Sequence, residues 1–187
     1  MSIKTHASSK VMCALGLSLA ACSGGGGDSG SAAEAICQVV GHGSSVSDSP
    51  GPGSTFSNPN AAFDGNLATF ATLNPASSAS GTISGGGLSE HGGGAAGFAF
   101  PRPHSGALTF TVQTLLSGVP QDTSGQCTIN YTPTGQDDSC AGPVAGDSIN
   151  NQRFYGVNTT KDFDTIQVTL STSNFSDPLE IEELCVK

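Results

Sequence analysis

The sequence ALTFTVQ, at residues 107–113, alternates apolar and polar side chains with a period of two. The sequence TIQVTLS, at residues 165–171, repeats the same pattern. Successive side chains of a strand point to opposite faces of a sheet, so this period is typical of strands with one buried face. Both segments therefore predict strands that cover a hydrophobic core with one of their two faces.

Weaker signals of the same kind surround these two segments. Phe98 and Phe100 lie two positions apart, and residues 35–40, 126–132 and 179–186 are further candidate strands. Residues 36–187 show no helical periodicity, and the whole chain has 26 glycines and no tryptophan. We predict an all-β domain over residues 36–187, an antiparallel β-sandwich (jelly roll) of about eight strands.

Two segments rich in small residues predict loops. Residues 41–60 are dominated by glycine, serine and proline. Residues 85–94 carry so many glycines that regular structure is disfavoured, and they predict a mobile loop. We find no internal repeat.

The N-terminal region has the layout of an export signal. Lys4 and Lys10 precede an apolar run at residues 11–21, VMCALGLSLAA, which is too short for a permanent membrane-spanning helix. The sequence LAAC, ending at Cys22, resembles the lipobox of bacterial lipoproteins, whose cysteine receives diacylglycerol before the peptide is cut there. This resemblance implies a signal peptide at residues 1–21 and lipidation of Cys22. The alternative is an ordinary secretory signal with a cysteine at that position by chance.

The segment after the lipobox predicts a flexible tether. Residues 22–35 are rich in glycine and serine, which gives a reach of roughly 20 Å. Ser23 stands where an aspartate would signal retention in the inner membrane, so by similarity to enterobacterial sorting we expect the outer membrane. The expected location is the bacterial cell envelope, with the membrane as a partner through the N-terminal lipid.

The charge balance limits the partners of the domain. The formal net charge is −9, and removal of the signal leaves only four basic residues, Arg102, Arg153, Lys161 and Lys187. Nucleic acid and anionic lipid head groups are poor partners for such a surface. Calcium is compatible with it. The alternative is that the carboxylates only keep an exported protein soluble.

Four cysteines remain after the signal and the lipidated Cys22 are set aside: Cys37, Cys127, Cys140 and Cys185. In an oxidising compartment they predict two disulfides, for which three pairings exist. Cys127 and Cys140 bracket a short polar hairpin, so we pair them, which leaves Cys37 with Cys185. No zinc-binding spacing is present.

The sequence NAAFDGNLAT, residues 60–69, resembles the A-x-D-G-N-x-x-T motif of discoidin-like domains, which are galactose-binding-like jelly rolls. The end of the chain, EELCV at residues 182–186, is similar to the final strand of that family. Several members also join their first and last strands by a disulfide. The resemblance covers residues 36–187 and implies a non-catalytic binding module.

The same resemblance implies a structural calcium ion. Carried over by position, its ligands are oxygens of Asp64, Asn66, Thr69 and Glu183. Calcium prefers mixed carboxylate and carbonyl oxygens, and Gly65 tolerates the positive φ that such a turn needs. The alternative is a plain Asp-Gly turn without a metal.

Candidate ligand contacts are Arg102, His104 and Tyr155. Arg102 and His104 lie in a loop that Pro101 and Pro103 stiffen, although this is also the pattern of an ordinary surface loop. Sugar-binding members of the family stack sugars on loop aromatics. Here we expect the exposed rings to be Tyr131, Tyr155 and Phe175.

The sequence holds no motif of a hydrolase or a nucleotide-binding enzyme, so we predict no catalytic residues and no enzymatic activity. The leading hypothesis is a lipid-anchored binding module for a glycan or another envelope component. The alternative is a structural or protein-interaction lipoprotein that has no small ligand.

Overall fold

A computed structural model describes residues 36–39, 46–103, 105–142, 144–149 and 151–187. The predicted signal peptide at residues 1–21, the lipidation site Cys22, the tether up to residue 35 and His104 lie outside these described residues. No helix within the described ranges is both long enough and apolar enough to cross a membrane.

The described residues form fifteen strands and one short 3₁₀ helix. The strands are β1 (Gln38–Val39), β2 (Val46–Pro50), β3 (Thr55–Ser57), β4 (Ala71–Asn74), β5 (Ser78–Glu90), β6 (Ala95–Pro101), β7 (Gly106–Leu116), β8 (Val119–Thr123), β9 (Cys127–Thr132), β10 (Gly135–Cys140), β11 (Ala145–Ile149), β12 (Gln152–Asn158), β13 (Phe163–Ser173), β14 (Leu179–Ile181) and β15 (Glu183–Val186). The 3₁₀ helix, Pro59–Phe63, lies between β3 and β4.

Three antiparallel sheets contain these strands. Sheet A has the order β1-β15-β6-β12-β11, and sheet C has the order β14-β4-β3. Sheet B has the order β10-β9-β7-β13-β5-β2, with β8 paired to β7. The sheets pack against each other around a shared core, so the predicted antiparallel β-sandwich is confirmed. The two segments with the clearest alternation lie in β7 and β13, which are neighbours in sheet B with Val168 opposite Val112.

Aromatic rings join sheets A and B across the core. Phe98 and Phe100 of β6 stack with their centroids 5.1 Å apart, and Phe110 of β7 meets Phe98 edge-on at 5.3 Å. All three rings are buried. Stacked and edge-on pairs add about 1 kcal/mol each to the stabilisation from burial alone. This aromatic layer therefore fixes how one sheet lies on the other.

The glycine-rich segment that predicted a mobile loop is mostly strand. β5 extends to Glu90 and pairs with β13 on one side and with β2 on the other. A Cβ atom at Gly85 would lie 2.8 Å from the ring of Phe63, and one at Gly81 would lie 2.6 Å from the ring of Phe56. The glycines are thus required where aromatic rings lie directly on the sheet. The prediction was wrong for residues 85–90 because β13, the strand with which they pair, lies far along the chain.

The strand count and the loop predicted at residues 41–60 also need correction. That segment contains β2 and β3, and the described residues hold nearly twice the expected number of strands. β2 and β3 have only 5 and 3 residues and are largely exposed. Strands this short and polar show no alternation, because too few of their side chains face the core.

Both disulfides have the predicted pairing. Cys127 and Cys140 occupy facing positions of β9 and β10 and are bonded to each other. Cys37 is bonded to Cys185, with their Cα atoms 5.9 Å apart. This second bond links the segment that leads into β1 to β15, its neighbour in sheet A. The two ends of the domain are therefore joined covalently.

Candidate functional site

A polar cavity of about 990 Å³ lies between the edges of sheets A and B, and we call it the edge cavity. β10 is an outer strand of sheet B, β11 is an outer strand of sheet A, and both contribute to its walls. The polar side chains that line it are Arg102, Thr134, Gln136, Asp138, Asp147, Ser148, Arg153 and Tyr155. Its volume is that of a site for a small ligand or a short oligomer.

The β9–β10 hairpin holds the guanidinium of Arg102 in place. Nη2 donates to the carbonyl oxygens of Thr132 and Gly135 at 2.8 and 2.7 Å. The guanidinium carbon lies 5.7 Å from the centroid of the Tyr131 ring. Within the described ranges, Nε and Nη1 of Arg102 donate to no other residue. An arginine that is fixed through one nitrogen is preorganised to donate to a ligand through the others.

Tyr155 connects the aromatic core to the edge cavity. Its ring packs on Phe100 at 5.9 Å and on Phe110 at 5.2 Å. Its hydroxyl accepts a hydrogen bond from Nε2 of Gln136 at 2.8 Å and lies 3.4 Å from Oδ2 of Asp138. Burial, followed by the nearby negative charge of Asp138, raises the pKa of Tyr155. The hydroxyl therefore stays protonated at neutral pH and can donate as well as accept.

The wall formed by sheet A carries a second guanidinium. Arg153 of β12 lies opposite Ser148 of β11, and its Nη1 donates to the carbonyl oxygen of Gln152 at 2.9 Å. Asp147, also in this wall, forms an ion pair with Lys187. The carboxylate of Asp138 instead accepts hydrogen bonds from neutral groups. The cavity wall thus holds two guanidinium groups and two carboxylates, one of which is paired with Lys187.

Two residues that the sequence nominated separately, Arg102 and Tyr155, line the same cavity. His104, the third, lies outside the described residues. Sequence analysis missed Arg153, although it precedes Tyr155 by two positions on a strand, which puts both side chains on one face. Gln136 and Asp138 are also two positions apart on a strand, β10, so their side chains share one face as well.

The expected exposure of three aromatic rings was wrong. Tyr131, Tyr155 and Phe175 are 3%, 6% and 5% exposed. An open ring face is needed to stack a sugar, so none of these rings offers a stacking platform. Tyr155 contributes to the edge cavity through its hydroxyl and not through its ring.

The four residues nominated for calcium lie together beside the 3₁₀ helix. The backbone N–H of Asn66 donates to Oδ1 of Asp64 at 2.9 Å. The hydroxyl of Thr69 lies 3.0 and 2.9 Å from the two carboxylate oxygens of Asp64, and 2.8 Å from the carbonyl oxygen of Asn66. Gly65 adopts a φ of 84°, as the turn requires. This turn therefore gathers carboxylate, carbonyl and hydroxyl oxygens.

Glu183 brings a buried carboxylate to this turn. It is 0% exposed, and its Oε2 accepts a hydrogen bond from the N–H of Gly65 at 3.1 Å. Its Oε1 is buried and has no hydrogen-bond partner among the described residues. Burial, together with the charge of Asp64, raises the pKa of Glu183 to about 7, although the N–H groups of Gly65 and Asn66 lower it. A buried carboxylate oxygen without a partner is costly, and a cation would satisfy it.

The oxygen donors at this turn are of the kind that calcium binds. Calcium takes 6–8 oxygen ligands and accepts water among them, so two carboxylates with neighbouring neutral oxygens are a workable set. The described residues contain no group of three or more acidic, histidine or cysteine side chains that could hold a metal. Any ion here would therefore depend on Asp64 and Glu183 for its charged ligands.

The two segments that carry the discoidin-like resemblance meet in the structure. The motif at residues 60–69 contacts the final strand through the hydrogen bond between Gly65 and Glu183. β15 pairs with β1 and β6 in sheet A, which keeps Glu183 in this position. Comparison of the chain with family models, with curated proteins and with solved structures gives no match.

Proposed function

We propose that this chain is a lipid-anchored, non-catalytic binding module of the bacterial cell envelope, and that the edge cavity is its ligand site. One observation carries the proposal: Arg102 and Tyr155, nominated from the sequence as ligand contacts, line one cavity with Arg153, Gln136 and Asp138. Convergent polar groups from distant segments in a concave site are the usual mark of a binding site.

The chemistry of the cavity wall favours a ligand rich in hydroxyl groups. Asp138 and the hydroxyl of Tyr155 accept hydrogen bonds, while Gln136 and the arginines donate them. Sugar hydroxyls both donate and accept, so they match a wall of this kind. We therefore propose a glycan as the ligand, bound through hydrogen bonds at the hydroxyl of Tyr155 rather than by stacking on its ring.

The proposed anchor rests on the sequence of the first 35 residues. Acylation of Cys22 would attach the domain to a membrane, and the tether would let it stand away from the surface. A cavity on such a domain would face glycans of the same envelope or of its surroundings. Membrane and glycan are then the two partners.

We also propose a structural calcium ion at Asp64 and Glu183, with neutral oxygens of Asn66 and Thr69 completing the protein ligands. The ion would supply positive charge to a buried carboxylate oxygen that has no other described partner. Its role would be to hold the turn at residues 64–69 against β15. It would not take part in a reaction.

Affinity electrophoresis tests the binding function. The full chain, in detergent, would be run on native gels cast with a panel of neutral and acidic polysaccharides. We expect at least one polysaccharide to retard the wild type. Tyr155→Phe, which removes only the cavity hydroxyl, should reduce that retardation.

Thr82→Val is the matched control, because it also removes one hydroxyl, on β5, and Thr82 does not line the cavity. Unchanged mobility of the wild type across the whole panel would contradict glycan binding. The protein-interaction lipoprotein would then become the better hypothesis, to be pursued by cross-linking in envelope preparations.

A further inference from the structure

The edge cavity is lined by both arginines of an acidic protein. The chain has only two arginines, Arg102 and Arg153, and both line this cavity. Lys187 pairs with Asp147 in the same wall. Lys161, the remaining basic residue of the domain, donates instead to the carbonyl oxygen of Gln121. In a chain of net charge −9, two of these four cations therefore line the cavity, and a third pairs with one of its carboxylates.

We infer that the edge cavity recognises a glycan whose sugars carry carboxylate groups, such as a uronic acid. This inference rests on the proposed binding function and names the ligand class for the same site. A planar guanidinium offers parallel N–H groups that match the two oxygens of a carboxylate, which a neutral sugar cannot use in the same way.

Arg102 is suited to this role because its position is fixed before any ligand binds. Two backbone carbonyl oxygens and the ring of Tyr131 hold one side of the guanidinium. Little side-chain entropy is then lost when the remaining N–H groups bind an anion. Arg153, which also lines the cavity, donates through Nη1 to the carbonyl oxygen of Gln152.

Each carboxylate of the cavity has a described partner of its own. Asp147 is paired with Lys187, and Asp138 is engaged by Gln136 and by the hydroxyl of Tyr155. Asp138 can also accept a hydrogen bond from a sugar hydroxyl. The wall therefore offers the guanidinium of Arg102 for a carboxylate and Asp138 as an acceptor for hydroxyls, which is the functional-group pattern of a sugar acid and not of a simple carboxylate.

The binding of matched oligosaccharides tests this inference. Isothermal titration of the full chain in detergent would compare galacturonate and glucuronate oligosaccharides with their methyl esters, which have the same size but no charge. We expect at least one acid to bind about tenfold or more tightly than its ester, as the loss of a charge-assisted hydrogen bond predicts. Arg153→Gln should lower its affinity by a similar factor.

Lys161→Gln removes the same charge outside the cavity and should leave the affinity unchanged. Equal affinity for the acids and their esters would overturn the inference while leaving a glycan-binding function in place. An equal loss in Lys161→Gln would also overturn it, because the effect would then come from net charge. If neither form binds and no neutral polysaccharide retards the chain, both the inference and the proposed function fail.

Discussion

The backbone N–H of Gly65 lies 3.1 Å from Oε2 of Glu183, and this hydrogen bond joins the turn after the 3₁₀ helix to the last strand. The second carboxylate oxygen of Glu183 is buried without a hydrogen-bond partner among the described residues. This hydrogen bond thus holds the turn against the last strand, while the other oxygen of the same carboxyl group lacks a partner. A cation at this point would remove the penalty.

Calcium should therefore raise the melting temperature of the wild-type protein. At a concentration of about 100 times its Kd, calcium would add about 2.7 kcal/mol to the free energy of unfolding. Differential scanning calorimetry in calcium and in EDTA measures the shift. Asp64→Asn should abolish it, whereas Asp48→Asn, at an exposed position of β2, should not. Equal melting temperatures in calcium and EDTA would show that the Asp64–Gly65 segment is only a turn.

Without calcium, the protein should lose stability as the pH rises. The pKa of Glu183 is raised from 4.5 to about 7 in the folded state, so the folded protein binds more protons than the unfolded chain between these values. The free energy of unfolding then falls from about pH 4.5 to above pH 7, by a total of about 3 kcal/mol from this group. Urea unfolding in EDTA across this range measures the slope.

Glu183→Gln is the variant that isolates this effect, because it keeps an acceptor for the N–H of Gly65 and cannot ionise. We expect the pH slope to become shallower in this variant. Part of the slope should remain, since burial also raises the pKa of Glu182. A slope identical to that of the wild type would mean that Glu183 does not titrate in this range.

The glycines of β5 should tolerate no side chain where a ring covers them. In Gly85→Ala the new methyl group would meet the ring of Phe63 at 2.8 Å, and we expect a loss of about 1–3 kcal/mol in unfolding free energy. Gly135→Ala is the control, because a Cβ atom there would meet nothing within 4 Å. Chemical denaturation compares the two. Equal stability of both variants would argue against this packing of Phe63 on β5.

The two disulfides should differ in what they contribute to stability. The Cys37–Cys185 bond closes a sequence separation of 148, and the Cys127–Cys140 bond closes one of 13. In the chain-entropy treatment the longer loop stabilises by about 5 kcal/mol and the shorter by about 3 kcal/mol. Paired Cys→Ser variants, compared by urea unfolding, should show the larger loss for Cys37 with Cys185. A larger loss for Cys127 with Cys140 would mean that the two ends of the domain are already close together in the denatured state.

Some features follow from residue patterns that are local in the chain. The alternation at residues 107–113 and 165–171 predicted strands, and these form β7 and β13 in the confirmed sandwich. The spacing of Cys127 and Cys140 around a polar hairpin predicted the bond that joins β9 to β10. Both predictions succeeded because the pleat of a strand and the closure of a short hairpin depend on neighbouring residues.

Other features were decided by contacts between distant segments. Residues 85–90 became strand because they pair with β13, and the ring of Phe63 covers Gly85. Tyr155 became a core residue because Phe100 and Phe110 enclose its ring. From composition alone, we had expected a loop at the glycine-rich residues and an exposed ring at Tyr155.

The sequence by itself thus determined the class of the fold, the disulfide pairing and two residues of the candidate ligand site, Arg102 and Tyr155. Only the tertiary structure decided that Arg153 and Asp138 lie with them around one cavity, and that Glu183 is buried against Gly65. The reason is physical. Side-chain periodicity is set by the local backbone, whereas burial and the electrostatic environment of a group are set by whichever strands the sandwich places beside it.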